Sequence, residues 1–303
     1  MNRSFISVAL AAMSLFATSC CSNSVKPSIP SDPQMERKIE KILKNLTLEE
    51  KVGQMTQITI TAMHDGKELT PVADSMIRVH KIGSVLNTIN SEAQTPEVWE
   101  KTVQELNRMS MEYIGIPCLY GLDHIHGTSY VAGGVLFPQG INIGATFNRE
   151  HSYNMGVVTG YESRAANVPW TFSPTMDLGR NPEWPRMWES YGEDVYVNAE
   201  MAVAATRGLQ GEDPNNVGPY NIAACAKHYL GYGVPVTGQD RTPASINPSE
   251  LREKYFEPFK EVLQAGCLSL MVNSASNHGM PFHCNTELLT QWAKEDLNWD
   301  GMI

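Results

Sequence analysis

Two side chains that can carry positive charge, Lys227 and His228, close an apolar run that begins at Ile222. Small apolar residues between turn signals are typical of a buried parallel strand. Because lysine is rarely buried without a partner, the pair indicates a neighbouring carboxylate or a bound polar ligand. The carboxyl ends of strands carry the binding site in barrels and open α/β sheets, so we expect the floor of a pocket here. A purely structural ion pair is the alternative.

A second polar cluster follows the strand predicted at 116–122. The carboxylate of Asp123 can accept hydrogen bonds from two adjacent sugar hydroxyls and can balance the charge of Lys227. Capping of its own loop is the alternative role. The spacing of His124 and His126 also occurs in metal-dependent hydrolases built on barrels, although there the pair ordinarily follows the first strand rather than the third. Two later histidines could complete such a ligand set: His278 and His283.

An arginine near the end of another predicted strand, 171–178, is placed to reach the same pocket. A guanidinium offers paired donors to vicinal hydroxyls, so Arg180 is a candidate for contact with a ligand that carries them. Arg186 could serve equally, but it lies farther from the strand end. An ion pair with Glu189 or Glu193 is the simpler expectation for it.

The backbone around the Lys-His pair must be unusual if both side chains enter one pocket, because successive strand residues point to opposite faces. We therefore expect a departure from regular strand geometry between Ala226 and Tyr229. A strained or cis non-prolyl peptide is the specific hypothesis.

Seven predicted strands alternate with helices and would bring these residues together. The strands are 55–61, 82–87, 116–122, 171–178, the run from Ile222, 267–273 and a segment that starts at Gly301. Right-handed crossovers leave an eight-stranded barrel or a doubly wound sheet. The length favours the barrel, and no glycine-rich loop follows the first strand. The expected fold class is α/β, a (β/α)8 TIM-barrel-like domain that is incomplete at its carboxyl-terminal end.

The amino-terminal residues have the pattern of an export signal. Residues 1–19 contain Arg3 and an apolar run too short to span a bilayer, and small residues precede Cys20 as in bacterial lipoprotein signals. We expect a lipid on Cys20, with ordinary cleavage as the alternative. A flexible tether over 20–34 and the barrel domain over 35–303 would follow. The protein would be exported, periplasmic or held on the outer membrane of a Gram-negative bacterium by that lipid alone.

The charge of the chain argues against one class of partner, and the positions of the cysteines predict whether their thiols are buried. A formal net charge of -10 with no compensating basic run argues against nucleic acid as a partner. Cys118, Cys225 and Cys267 lie in apolar strand-like runs and are expected to be buried thiols. The role of Cys284 stays undecided, and the cysteine spacing matches no zinc pattern.

Several separated motifs together resemble glycoside hydrolase family 3, from about Met35 to the end of the chain. They lie at 121–127, 173–194, 224–233, 249–259, 269–271 and 298–303. Several motifs in a consistent order are far more specific than any one alone. The Gly-Tyr-Gly after His228 and the later Gly-Gln-Asp are similar to the bacterial β-glucosidase group.

The resemblance implies that Asp123, Arg180, Lys227 and His228 bind hydroxyls of the terminal sugar and that Met271 lines the pocket. The implied reaction removes terminal non-reducing β-D-glucosyl residues from oligosaccharides or glycosides by a retaining double displacement. The implied enzyme uses no metal and no organic cofactor.

The resemblance also places the nucleophilic aspartate just after Ile303 and the acid/base glutamate later still. We therefore expect the 303 residues to hold a sugar-recognition half-site without its catalytic carboxylates, and to be inactive alone. A non-enzymatic sugar-binding lipoprotein is the second hypothesis, and a metal-dependent barrel hydrolase is the third. The preference between glucose and xylose, the linkage and the oligomeric state stay open.

Overall fold

Parallel strands in chain order form the framework of the molecule. The computed structural model describes residues 25–303, so the expected signal peptide and Cys20 lie outside the described residues. The parallel strands are β1 Gln57–Thr59, β2 Ser84–Leu86, β3 Leu119–Leu122, β4 Trp170–Thr171, β5 Cys225–Tyr229 and β6 Ser269–Val272. Ladders join β1 through β4 and join β5 to β6. Bridges from Trp170 to Ala223 and from Ser269 to Met302 connect the two groups and add a seventh parallel segment. The strand order is that of a (β/α) barrel wall.

Helices connect the strands, as the alternation predicts. They are α1 Pro33–Asn45, α2 Leu48–Gln54, α3 Pro71–Asp74, α4 Pro96–Tyr113, α5 Gly140–Gly144, α6 Arg149–Ala165, α7 Val195–Gln210, α8 Pro248–Glu250 and α9 Phe256–Gln264. Wider π-helical turns occur at Ser75–Val79, Leu251–Tyr255 and Glu287–Glu295. Short 3-10 turns occur at Ile60–Ala62, Ile89–Ser91, Met187–Glu189 and Phe282–Cys284. In residues 25–303, no helix is both long enough and apolar enough to span a membrane.

Side chains at the starts of five helices accept hydrogen bonds from backbone N–H groups. The side chain of Thr47 accepts from the Glu50 backbone, and the side chain of Glu50 accepts from the Thr47 backbone, which forms a capping box. Four other residues accept in the same way: Asp32, Asn148, Asp194 and Asn247. Satisfying these N–H groups fixes where each helix begins.

The core has two large apolar clusters outside the strands and a small one inside the barrel. The inner cluster contains Trp170, Phe172 and Cys225, and the indole N–H of Trp170 donates to Ser269 Oγ at 2.9 Å. Gly121 faces this cluster so closely that a Cβ there would lie 2.4 Å from Phe172 Cζ. Side chains therefore fill the barrel interior at this level.

The structure differs from the predicted elements at several points. The predicted strand 55–61 is regular at Gln57–Thr59 and continues into the 3-10 turn at Ile60–Ala62. In place of the predicted strand 171–178, the regular strand covers Trp170–Thr171, because Pro174 has no N–H to donate to a ladder. The rest of that segment still follows β5, since Met176 N–H donates to Lys227 O at 2.6 Å. An antiparallel hairpin of β7 Ser276–Asn277 and β8 Met280–Pro281 was not predicted.

Residues 25–30 of the expected tether lie against the barrel rather than free of it. Asn298 Nδ2 donates to Val25 O at 2.9 Å, and Asn215 Nδ2 donates to Pro30 O at 2.7 Å. The side chain of Ile29 packs on the larger core cluster. These contacts correct the expectation of a tether that is flexible over all of 20–34.

Candidate functional site

Lys227 and Asp123 meet at the carboxyl ends of β5 and β3. The ammonium of Lys227 donates to Asp123 Oδ1. The lysine side chain is 3% exposed, whereas that of Asp123 is 38% exposed. The buried cation therefore has the carboxylate partner that the sequence requires. The open side of that carboxylate is available to a ligand.

His228 is buried beside a carboxylate that the sequence analysis did not single out, Asp177. Its Nδ1 lies 2.7 Å from Asp177 Oδ2, and its Nε2 lies 3.2 Å from Nη2 of Arg186. Burial lowers the pKa of His228, although the charge of Asp177 opposes this effect. A neutral ring with its proton on Nδ1 donates to Asp177 and accepts from Arg186, which satisfies both contacts.

Arg186 is held firmly by Glu189, as the ion-pair expectation predicts. Its Nε and Nη2 donate to the two carboxylate oxygens at 2.7 Å and 2.8 Å. Burial would lower the pKa of Arg186, but these bonds and the negative charge of Glu189 raise it. A bidentate pair of this kind fixes the plane of the guanidinium. Arg186 is therefore a permanently charged and well-oriented group beside His228.

Arg180 does not lie beside Lys227 and His228, which corrects the expectation that it is the arginine of the pocket. Its Nη1 lies 3.3 Å from Glu250 Oε1, and Glu250 also accepts from Lys254 at 3.1 Å. The loop after β4 turns through Met187–Glu189, so the later arginine points back to the strand ends.

Met271 lies on β6. Its neighbours Leu270 and Val272 pair with Ala226 and Tyr229 of β5, on either side of Lys227 and His228. Its half-buried side chain packs on the inner aromatic cluster of Trp170 and Phe172. The part it would play in lining a sugar pocket stays a prediction.

The backbone of β5 departs from regular geometry where the sequence analysis expects it. The pairing register with β6 shifts between Ala226 and Tyr229. The peptide bond between Lys227 and His228 is cis, as is the bond between Tyr229 and Leu230. The specific hypothesis of a cis non-prolyl peptide is confirmed.

A cavity of about 340 Å³ opens above these residues. It is lined by side chains that include Asp123, His126, Arg186, Trp188, Lys227 and Asp240. A neighbouring cavity of about 470 Å³ shares Asp123 and Tyr130 with it and extends to the ends of the first two strands. Both volumes are in the range of small-ligand sites. Asp123 lies between the two cavities and contributes to both.

The rim of the first cavity is held by Asp240, the second carboxylate that the sequence analysis did not single out. The indole N–H of Trp184 and the hydroxyl of Tyr232 donate to its Oδ1 at 3.2 Å and 2.7 Å. Burial would raise the pKa of Asp240, but these two bonds and the charge of Arg186 lower it overall. Trp184 is buried under the loop, whereas Trp188 is 44% exposed at the cavity. Two features of the sequence could have pointed to these carboxylates. Asp177 lies near the end of the predicted strand 171–178, and Asp240 ends the Gly-Gln-Asp motif.

The histidines of the metal hypothesis have separate hydrogen-bond partners. His124 is buried with Nδ1 2.7 Å from Ser163 Oγ, and burial lowers its pKa to about 3. His126 Nδ1 lies 2.9 Å from Phe137 O, and His278 Nε2 lies 3.0 Å from Ile246 O. Within residues 25–303, no group of three or more histidine, cysteine, aspartate or glutamate residues is arranged to hold a metal ion. These contacts give the metal-hydrolase alternative no support.

Comparison with known proteins decides the family. The model of the glycosyl hydrolase family 3 N-terminal domain matches residues 47–303. The chain belongs to glycosyl hydrolase family 3. A lysosomal beta glucosidase of Dictyostelium discoideum is 34% identical over 281 residues, which cover 87% of this chain and 34% of that protein. A periplasmic beta-glucosidase of Salmonella typhimurium is 26% identical over 261 residues, covering 86% of this chain and 32% of that protein.

A solved structure agrees with the family and with the barrel. The exo-1,3/1,4-beta-glucanase of a Pseudoalteromonas species superposes with a TM-score of 0.80 at 31% identity, covering 91% of this chain and 36% of that one. The predicted TIM-barrel-like fold class is thereby confirmed, as is membership of a glycosidase family. The chain spans about a third of the length of the curated relatives that it matches.

Proposed function

We propose that this domain binds the terminal β-D-glucosyl residue of an oligosaccharide or glycoside and that the intact protein hydrolyses its bond with retained configuration. One observation carries the proposal. A carboxylate, an ammonium and a guanidinium, from Asp123, Lys227 and Arg186, line one cavity at the carboxyl ends of three neighbouring strands. Sugar rings present adjacent hydroxyls that need both donors and acceptors. The similar proteins are two beta glucosidases and an exo-beta-glucanase, which supports this substrate class.

Each group has a distinct part in holding the sugar. The open side of Asp123 accepts from two adjacent hydroxyls, while Lys227 donates to the oxygen of one of them. Arg186 donates to a further hydroxyl, and Asp177 keeps the ring of His228 in place. Because such contacts strengthen as the sugar distorts, they stabilise the transition state more than the ground state. A retaining reaction also needs two carboxyl groups about 5–5.5 Å apart, and we expect the nucleophilic aspartate to follow Ile303.

Retention of configuration tests the reaction directly. Purified intact protein is given p-nitrophenyl β-D-glucoside, and proton NMR follows the anomer that appears first. The proposal predicts β-glucose before mutarotation, and no release from the α-linked isomer. Glucose binding without any hydrolysis would instead support a sugar-binding lipoprotein. The matching β-D-xyloside in the same assay decides the preference between the two sugars.

We further propose that the protein is exported and carries a lipid on Cys20, in the periplasm or on the outer membrane. The Salmonella relative is a periplasmic beta-glucosidase, which supports an exported location. Membrane fractionation of the native protein and of Cys20→Ser tests the anchor. The proposal predicts that the native protein pellets with membranes and that the variant does not.

A further inference from the structure

The segment 25–30 contacts the barrel at three separate connections. Asn298 donates to the carbonyl of Val25, and Asn215 donates to the carbonyl of Pro30. Between these two points, the carbonyl oxygen of Ser28 lies close to Gly266, 3.4 Å from where a Cβ would stand. The segment therefore runs along the barrel from one connection to the next.

All three contacted connections lead from a helix into a strand. Asn215 lies between α7 and β5, Gly266 between α9 and β6, and Asn298 between Glu287–Glu295 and the segment at Met302. Such connections lie at the amino ends of the strands. Asp123 and Lys227 lie at the carboxyl ends. The segment is therefore fixed to the end of the barrel opposite the cavity.

The sequence sets how far an anchor at Cys20 could lie from this attachment. Five residue steps separate Cys20 from Val25. At about 3.3–3.6 Å per residue, they span at most about 18 Å. A chain of this size has a radius of gyration of about 19 Å, so the domain is more than twice that reach across. A lipid on Cys20 cannot reach around the barrel to its cavity end.

We infer that the contact of residues 25–30 orients the domain on a lipid bilayer, with the amino ends of the strands toward the membrane and the sugar cavity away from it. The inference rests on the proposed lipid on Cys20. A free tether would let the cavity face the bilayer, whereas this attachment keeps it open to solvent. The site is thereby suited to oligosaccharides that arrive from solution rather than to glycolipids within the membrane.

Energy transfer to the bilayer tests the orientation in the intact, acylated protein reconstituted in vesicles with acceptor-labelled headgroups. One donor is attached through Glu212→Cys, near the contacted connections, and another through Val236→Cys, in the loop on the cavity side. Cys21→Ser and Cys284→Ser remove other thiols. The inference predicts stronger donor quenching at position 212 than at 236. Equal quenching, or the reverse order, would overturn it.

The asparagine contacts are tested by a double variant, Asn215→Ala with Asn298→Ala. It should reduce the difference in quenching between the two donors, while the exposed control pair Asn142→Ala with Asn216→Ala keeps it. In the unlipidated Cys20→Ser protein that also carries Cys21→Ser and Cys284→Ser, a nitroxide label attached through Lys26→Cys should be less mobile by electron paramagnetic resonance than in the same protein with the double variant. Equal mobility in both would overturn the attachment.

Mass spectrometry of the amino-terminal peptide separates the two proposals. An unacylated Cys20 would overturn the anchor and the orientation that rests on it, and the label mobility would still decide the attachment. An acylated Cys20 with reversed quenching would overturn the orientation alone.

Discussion

Replacing Asp123 by alanine should remove most of the catalytic efficiency of the intact protein. The change deletes the carboxylate oxygens that accept from sugar hydroxyls, and it leaves the ammonium of Lys227 without its partner in a site where that side chain is 3% exposed. A hydrogen bond to a charged group contributes about 1.5–3 kcal/mol. Because Asp123 is 38% exposed, we take the lower value for each of two bonds, which gives about 3 kcal/mol in total. At about 1.4 kcal/mol per factor of ten, kcat/KM should fall by about 100-fold or more.

The assay is initial-rate hydrolysis of p-nitrophenyl β-D-glucoside, with circular dichroism to show that the variant folds. Glu253→Ala is the matched control, because Glu253 is an exposed carboxylate outside the cavity lining. We expect the control to keep wild-type kcat/KM. A value for Asp123→Ala within twofold of wild type would refute the role of Asp123 in sugar binding.

Three further predictions concern packing and burial in the domain. Gly121→Ala would place a Cβ 2.4 Å from Phe172 Cζ, so urea denaturation should show a loss of about 2 kcal/mol or more, and unchanged stability would contradict the packing. Of the four cysteines in residues 25–303, only Cys284 is exposed, so peptide mapping after brief iodoacetamide treatment at pH 8 should find that thiol alkylated and the three buried ones not. Burial lowers the pKa of His124 from 6.5 to about 3. The unfolded chain therefore binds a proton that the folded one does not, so the free energy of unfolding falls as the pH drops below 6.5. Between pH 7 and 4.5, urea denaturation should show that wild type loses about 3 kcal/mol more than His124→Asn. Equal losses would refute this.

The Lys227 and Asp123 pair could be predicted from the sequence because a lysine that ends an apolar strand requires a partner, and Asp123 ends another strand. The unusual backbone at Lys227 followed from the same reasoning, since two adjacent strand residues cannot otherwise share one pocket. Both predictions depend on local sequence and on the alternation of side chains. The structure confirms both.

The arginine could not be chosen from the sequence because its position depends on tertiary contacts. Arg180 is closer to the strand end, but Glu250, from a distant helix, pairs with it. Arg186 reaches the cavity because Met187–Glu189 forms a turn and Glu189 holds the guanidinium. No local spacing distinguishes these two outcomes.

The attachment of residues 25–30 was also beyond sequence reasoning. A polar, proline-containing stretch has the composition of a tether, and nothing within it indicates a partner. Its partners Asn215 and Asn298 lie 185 and 273 residues away. The folded barrel brings Asn215, Asn298 and residues 25–30 together at the end opposite the cavity.

A crystal structure of the intact protein with glucose would show directly whether these residues bind the sugar. We expect one pyranose ring in the cavity, with adjacent hydroxyl oxygens about 3 Å from the carboxylate of Asp123 and from Lys227 Nζ. Arg186, rather than Arg180, should contact the sugar. Glucose bound elsewhere in the barrel, or a ring in the cavity that touches neither Asp123 nor Lys227, would show that the sugar site is not the one described.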